Sequence, residues 1–153
     1  MLKPDEVQKF CPRLWEVQFR TNETVRLLDQ VLPTNLPAGV YGTAVHTLMK
    51  MQIESQNDPD FKAEISYFKM PDMNKPDPFA PAGYGEKNTR RLDILENVRE
   101  QETVCIYDVK TSGARYTVRD MNEVANTARH YFPYAKNFVL IEVKPSRSAI
   151  ERR

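Results

Sequence analysis

Between Met70 and Gly85 the chain reads MPDMNKPDPFAPAGYG, with four prolines in sixteen residues. Proline lacks the amide hydrogen that a helix interior or a central strand requires, and its ring fixes φ. No regular element can cross this stretch, so it is a long loop between two differently patterned parts of the chain. Long loops in compact domains are either functional or disordered. A substrate-contacting lid and a mobile surface excursion both remain open for it at this point.

Before the loop the pattern is helical. Asn22 is placed to cap a helix carrying Val25, Leu28 and Leu32, which Pro33 stops. The turn segment PTNLPAG follows, and a second helix is expected from about Val40. At 3.6-residue periodicity Tyr41, Ala44, Val45, Leu48, Met51 and Gln52 share one face, with His46, Lys50 and Glu54 around the other side. Then the period changes. Phe61–Lys69, Arg90–Val98 and Thr103–Thr111 read as strands. A further helix is expected over Val118–Phe132, with Thr117 as its N-cap, Asp120 three residues on, and Pro133 ending it. Asn137–Val143, rich in branched residues, is expected to be a buried strand. A helix between two strands is the usual crossover that sets them parallel. The order predicts an α/β fold with a mixed central sheet flanked by helices, preceded by an extra N-terminal helical segment.

Length and charge narrow the function. At 153 residues the chain is expected to form one domain: a helical extension over 1–38, a core over 39–145 and a basic tail over 146–153. Lys and Arg total 22 against 21 Asp and Glu, so bulk positive charge cannot drive nucleic-acid binding and any anion must be held locally. No apolar run is long enough to span a bilayer, and MLKPDEVQKF has no apolar core of a secretory signal. The two cysteines, Cys11 and Cys105, are too few for a disulfide framework or a four-cysteine metal site. They are expected to be small buried hydrophobes.

The chemistry concentrates on Thr103–Thr111. Alternation along a strand places Val104, Ile106, Asp108 and Lys110 on one face. An antiparallel hairpin turning between Glu100 and Gln101 would set Asp93 opposite Asp108. Two facing carboxylates repel, and a divalent cation between them turns that repulsion into coordination. A slip of one residue would send them to opposite faces. A second acid-x-Lys triplet, Glu142-Val143-Lys144, is the weaker candidate because a whole helix separates it from Asp108.

The segments RRLDIL and IYDVKTS together resemble the PD-(D/E)XK nuclease superfamily, the restriction-endonuclease-like fold. Its pattern is an acid on one strand and (D/E)-x-K on the next, within an αβββαβ core. YGTAVHTLM is similar to the first-helix motif of RecB-like nucleases, in which a histidine joins the metal site. Leu92 stands where that pattern has proline, and the helix after the lysine offers Asn122, Asn126, Arg129, His130 and Tyr131 but no glutamine. The resemblance implies metal-assisted phosphodiester hydrolysis with Mg²⁺ (or Mn²⁺). It implies Asp93, Asp108 and Lys110 as catalytic residues, and Asp93, Asp108 and His46 as metal ligands, with Glu54 a weaker competitor for the helix-borne position. Arg90, Arg91, Ser112, Arg115 and Arg119 would meet flanking phosphates. DNA is the implied substrate, acted on in a cytoplasm and not at a membrane. Similar short cores occur as bacterial effector toxin domains, delivered into a target cell without their own signal peptide and held in check by a cognate immunity protein. A phage or repair exonuclease and a non-catalytic binding module stay open beside that reading.

Overall fold

The computed structural model describes residues 3–112 and 116–146. Its elements are α1 (Pro4–Phe10), α2 (Leu14–Val31), α3 (Ala38–Glu54), β1 (Phe61–Phe68), β2 (Thr89–Val98), β3 (Thr103–Val109), α4 (Val118–Tyr131) and β4 (Asn137–Val143), with a short 3-10 turn at Arg99–Gln101. The sheet runs in the order β1-β2-β3-β4. β1, β2 and β3 are antiparallel neighbours, and β4 lies parallel to β3 after the α4 crossover. The architecture is a mixed α/β one, with helices on both faces of a four-stranded mixed sheet. No helix among the described residues is long and apolar enough to cross a membrane.

The helices of the N-terminal third pack on one face. Leu14, Val17, Val25, Val45, Met49 and Ile53 join Phe61, Ile94, Tyr107 and Val109 in a continuous core. On the other face Val124, Ala128 and Tyr131 of α4 meet Leu92, Leu95, Val104 and Ile106. The N-terminal segment is therefore part of the main core. Arg13 fastens it further. Its guanidinium lies 4.2 Å from the Phe61 ring centroid, pairs with Glu16 and Asp58 at 2.7 Å each, and bonds Gln56 at 3.0 Å.

Several expectations need correction. Asn22 does not cap a helix: α2 begins at Leu14, and the Asn22 amide oxygen instead accepts from Gln18 Nε2 and from the Ser146 backbone N–H. The apolar residues of this helix extend back through Val17 and Leu14, which outweighs one good capping residue. The buried face of α3 is Val45, Met49 and Ile53, and Met51 is 65% exposed. β4 is an edge strand and only half-buried, with Val143 its one buried residue. Cys11 and Cys105 are fully buried as expected, but they are bonded to each other across 94 positions of sequence. Sequence spacing cannot place two Cα atoms 6.0 Å apart, as the fold does here. Of the basic tail, 147–153 lies outside the described residues.

The α4 start follows its sequence. Thr117 Oγ1 accepts from the Asp120 N–H at 3.1 Å. Thr117→Ala is expected to cost about 1 kcal/mol of stability, read as a lower urea midpoint with an unchanged slope. An unchanged midpoint would mean that packing alone fixes the helix start.

The proline-rich segment is held against the sheet. Ala82 N–H bonds the Ser66 carbonyl at 2.8 Å, Lys75 Nζ sits 4.3 Å from the Phe68 ring centroid, and Phe79 meets Tyr131 edge-on at 6.3 Å.

Candidate metal centre

The β2–β3 ladder has the register that the hairpin argument requires. Val98 faces Thr103, Leu95 faces Ile106 and Ile94 faces Tyr107. The next step along this ladder is the Asp93 and Asp108 position. There the backbone pairing stops, and the Asp93 side chain takes over: its Oδ2 accepts the Val109 N–H at 2.8 Å.

A second irregularity meets the first. In β1, Phe61 and Ala63 point into the α3-side core, whereas Ile65 belongs with the α4 side and Tyr67 is buried there. In β2, Ile94 is on the α3 side and Leu92 on the α4 side. Residues two apart on a regular strand share a face. Both strands therefore change face at the same level, between the pairs Ala63↔Ile94 and Ile65↔Leu92. Glu64 sits at that point with φ at 51°, in the left-handed region that a side chain with Cβ rarely adopts. The switch turns Glu64 and Asp93 toward His46 of α3.

The result is a compact acid–imidazole group. His46 Nδ1 is 2.7 Å from Glu64 Oε1 and 3.6 Å from Asp93 Oδ1. His46 Nε2 lies 3.1 Å from the Val109 carbonyl oxygen, to which it donates. Ligand atoms of His46, Glu64 and Asp93 all fall within 4.8 Å of one another, a spacing that could hold a metal ion. An imidazole whose remote N–H is tied to a backbone carbonyl has its ring orientation and tautomer fixed, as in metal-ligating histidines.

Electrostatics agree with that arrangement. Burial pushes the Asp93 carboxyl up to about 7; the His46 charge pulls the other way, and the nearby Asp108 and Glu64 carboxylates add to the rise. The hydrogen bond to Glu64 raises the His46 pKa against the opposing effect of burial. Burial, more than the neighbouring carboxylates, is what disfavours the ionised Asp93.

Asp108 lies beside this trio and outside its 4.8 Å circle. Lys110 Nζ is 3.2 Å from Asp108 Oδ2, close enough to pair by charge but off the hydrogen-bonding direction. That buried oxygen has no hydrogen-bond partner among the described residues, which leaves the Lys110 charge as its compensation. Asp108, Asp93, Lys110 and His46 thus come together at one end of the sheet.

Glu54 does not join them. Its Oε1 accepts the Ala63 N–H at 3.0 Å and its Oε2 faces Lys62 at 3.4 Å. Glu64 takes its place in the group that could hold a metal ion. Sequence alternation hides it, because it lies mid-strand in FKAEISYFK and reads as an ordinary solvated position. Arg91 Nε pairs with Glu64 Oε2 at 2.8 Å, so it does border the cluster. Arg90 turns to α4, toward Asp120 and Glu123 at 3.5 and 4.0 Å. Arg119 and Ser112 are exposed, and Arg115 lies outside the described residues. Glu142 sits beside Asp108 in the parallel ladder, but its carboxylate accepts the Tyr116 N–H at 2.8 Å and pairs with Lys144 at 3.1 Å. It fastens the segment leading into α4.

No family model matches the chain, and no curated protein or solved structure matches it either.

Proposed function

We propose that this chain is a metal-dependent nuclease with a restriction-endonuclease-like core, hydrolysing phosphodiester bonds, with DNA as its substrate. The observation that carries the reading is the convergence of Asp93, Asp108 and Lys110 with His46 and Glu64 at the point where β1 and β2 switch faces. The left-handed Glu64 supports it, since backbone strain of this kind costs about 1–3 kcal/mol and concentrates at functional sites.

His46, Glu64 and Asp93 would hold a divalent ion, with the Asp108 carboxylate, paired by charge with Lys110, at its border. Bound there, the ion would polarise a phosphate oxygen and lower the pKa of a water. The chain's own groups do the rest. Val109 fixes the His46 ring through its carbonyl and the Asp93 carboxylate through its N–H. Lys110 presents a fixed positive charge where a phosphorane would gather negative charge. An imidazole among carboxylates suits Mn²⁺ at least as well as Mg²⁺, which favours all-oxygen sites. A free nuclease would harm the cell that makes it, so a cognate inhibitor protein belongs with the toxin form of this proposal.

The test is incubation of supercoiled plasmid, linear DNA and RNA with Mn²⁺, Mg²⁺ or EDTA, alongside Asp108→Ala and Lys110→Ala. Cutting that needs metal and fails in both variants supports the reading, and metal-independent or absent cutting of every substrate overturns it. The metal is also expected to show without turnover. Mn²⁺ should raise the melting temperature near pH 8 and have little effect near pH 5, because protons on Asp93 and His46 compete with it. Glu64→Gln should lose most of that rise. A rise equal at both pH values would place the ion elsewhere.

A further inference from the structure

Beside the metal group lies a trough of about 480 Å³, within the size range of ligand sites. Its floor is α3, from Gly39 through His46 to Lys50, a run of about 16 Å along the helix. Glu64, Arg91 and Tyr84 form its wall. The trough is thus continuous with two of the three candidate ligands.

Tyr84 is the unexpected member. It comes from the proline-rich loop and is 82% exposed, the most exposed of the large apolar side chains among the described residues. Yet the chain around it is fixed on both sides. Ala82 is bridged to Ser66 of β1 through a 2.8 Å backbone bond. The Gly83 N–H donates to Glu86 Oε2 at 2.6 Å, closing a tight turn. Gly85 takes φ at 77°, which glycine adopts without steric cost. The Arg91 guanidinium lies 5.4 Å from the ring centroid. The ring is therefore held at the rim of the trough with most of its surface bare, beside a guanidinium, and little of it is buried in the core. Three prolines shortly before it, Pro76, Pro78 and Pro81, lower the entropy of ordering the loop.

We propose that this trough is a subsite for one unpaired nucleotide adjoining the scissile phosphate, with its base stacked on Tyr84 and its phosphate met by Arg91 and Lys50. This rests on the nuclease reading and adds to it that the substrate strand is single at this point. A base within a duplex is already stacked on both faces and cannot offer one to a side ring. An unpaired base can, and aromatic stacking of this kind tolerates any base identity. Lys50 and Arg91 supply the trough's positive charge, locally as the near-neutral composition requires, with Arg91 Nε also paired to Glu64 at 2.8 Å.

The experiment is fluorescence anisotropy with a fluorescein-labelled oligothymidylate and a blunt duplex of equal length, using the full chain with Ca²⁺ replacing the catalytic metal. A parallel cleavage assay with Mn²⁺ is run on both substrates. Wild type is expected to bind the single strand about tenfold more tightly than the duplex, and Tyr84→Ala to lose about tenfold on the single strand alone. Tyr84→Phe keeps the ring and should keep the affinity. Because Tyr84 is outside the core, unchanged melting temperatures are expected for both variants. If Tyr84→Ala binds the single strand as wild type does, or if the duplex binds better, the subsite is overturned, while metal-dependent cutting by wild type leaves the nuclease reading standing. If wild type neither binds nor cuts either substrate, the nuclease reading falls and the subsite with it.

Discussion

Asp93→Asn is expected to lower metal-dependent phosphodiester cleavage by about a thousandfold or more, a loss of about 4 kcal/mol in transition-state stabilisation. The same substitution is expected to stabilise the metal-free protein at neutral and higher pH. The sign follows from linkage. Burial raises the Asp93 carboxyl from 3.8 to about 7 despite the opposing His46 charge, so between those values the folded chain binds more protons than the unfolded one. Stability then falls as pH rises through that window. The raised His46 pKa acts in the same direction, since its proton is lost from the folded state as pH climbs further. Asparagine keeps an oxygen for the Val109 N–H and removes the charge. Melts in EDTA should show the variant gaining on wild type as pH goes from about 4 to about 8. A variant that still cuts at near the wild-type rate would remove Asp93 from the chemistry. One that melts lower than wild type near pH 8 would show that the site stabilises the ionised carboxylate unaided.

The second large effect concerns the Cys11–Cys105 bond. Closing a loop of 94 positions removes much of the freedom of the unfolded chain. On the loop-entropy account that is worth about 5 kcal/mol, or about 10–20 °C in melting temperature for a domain of this size. Cys11→Ser is the cleaner test, because Cys11 lies between α1 and α2 while Cys105 is inside β3. A loss of that order, reproduced in wild type by reductant, is expected. If reductant leaves the melting temperature unchanged, the helical segment is held by the core contacts of Leu14 and Val17 and by the Arg13 pairs.

Some parts of this protein could be read from its residues directly. The period change from 3.6 to 2, the prolines and the Thr117 cap give local signals, and local signals need no distant partner. The strand at Asn137–Val143 and the helix from Val118 follow from them. The β2–β3 register is only a supposition at the level of sequence, because a slip of one residue would send Asp93 and Asp108 to opposite faces; the fold supplies it. Asn22 shows where local reading fails, since a capping residue within a longer amphipathic run has no capping role to play.

The residues alone carry the order of the elements and the two acids on neighbouring strands. Packing carries everything that needs two distant segments at once. Glu64 became a ligand candidate because β1 and β2 change face together, which alternation within one strand cannot announce. Cys11 met Cys105 because α1 and α2 pack under the sheet. Tyr84 reached the trough because Ala82 is pinned to Ser66. Each of these contacts is fixed by packing and strand pairing across many residues of chain, and such long-range choices leave no period in the sequence.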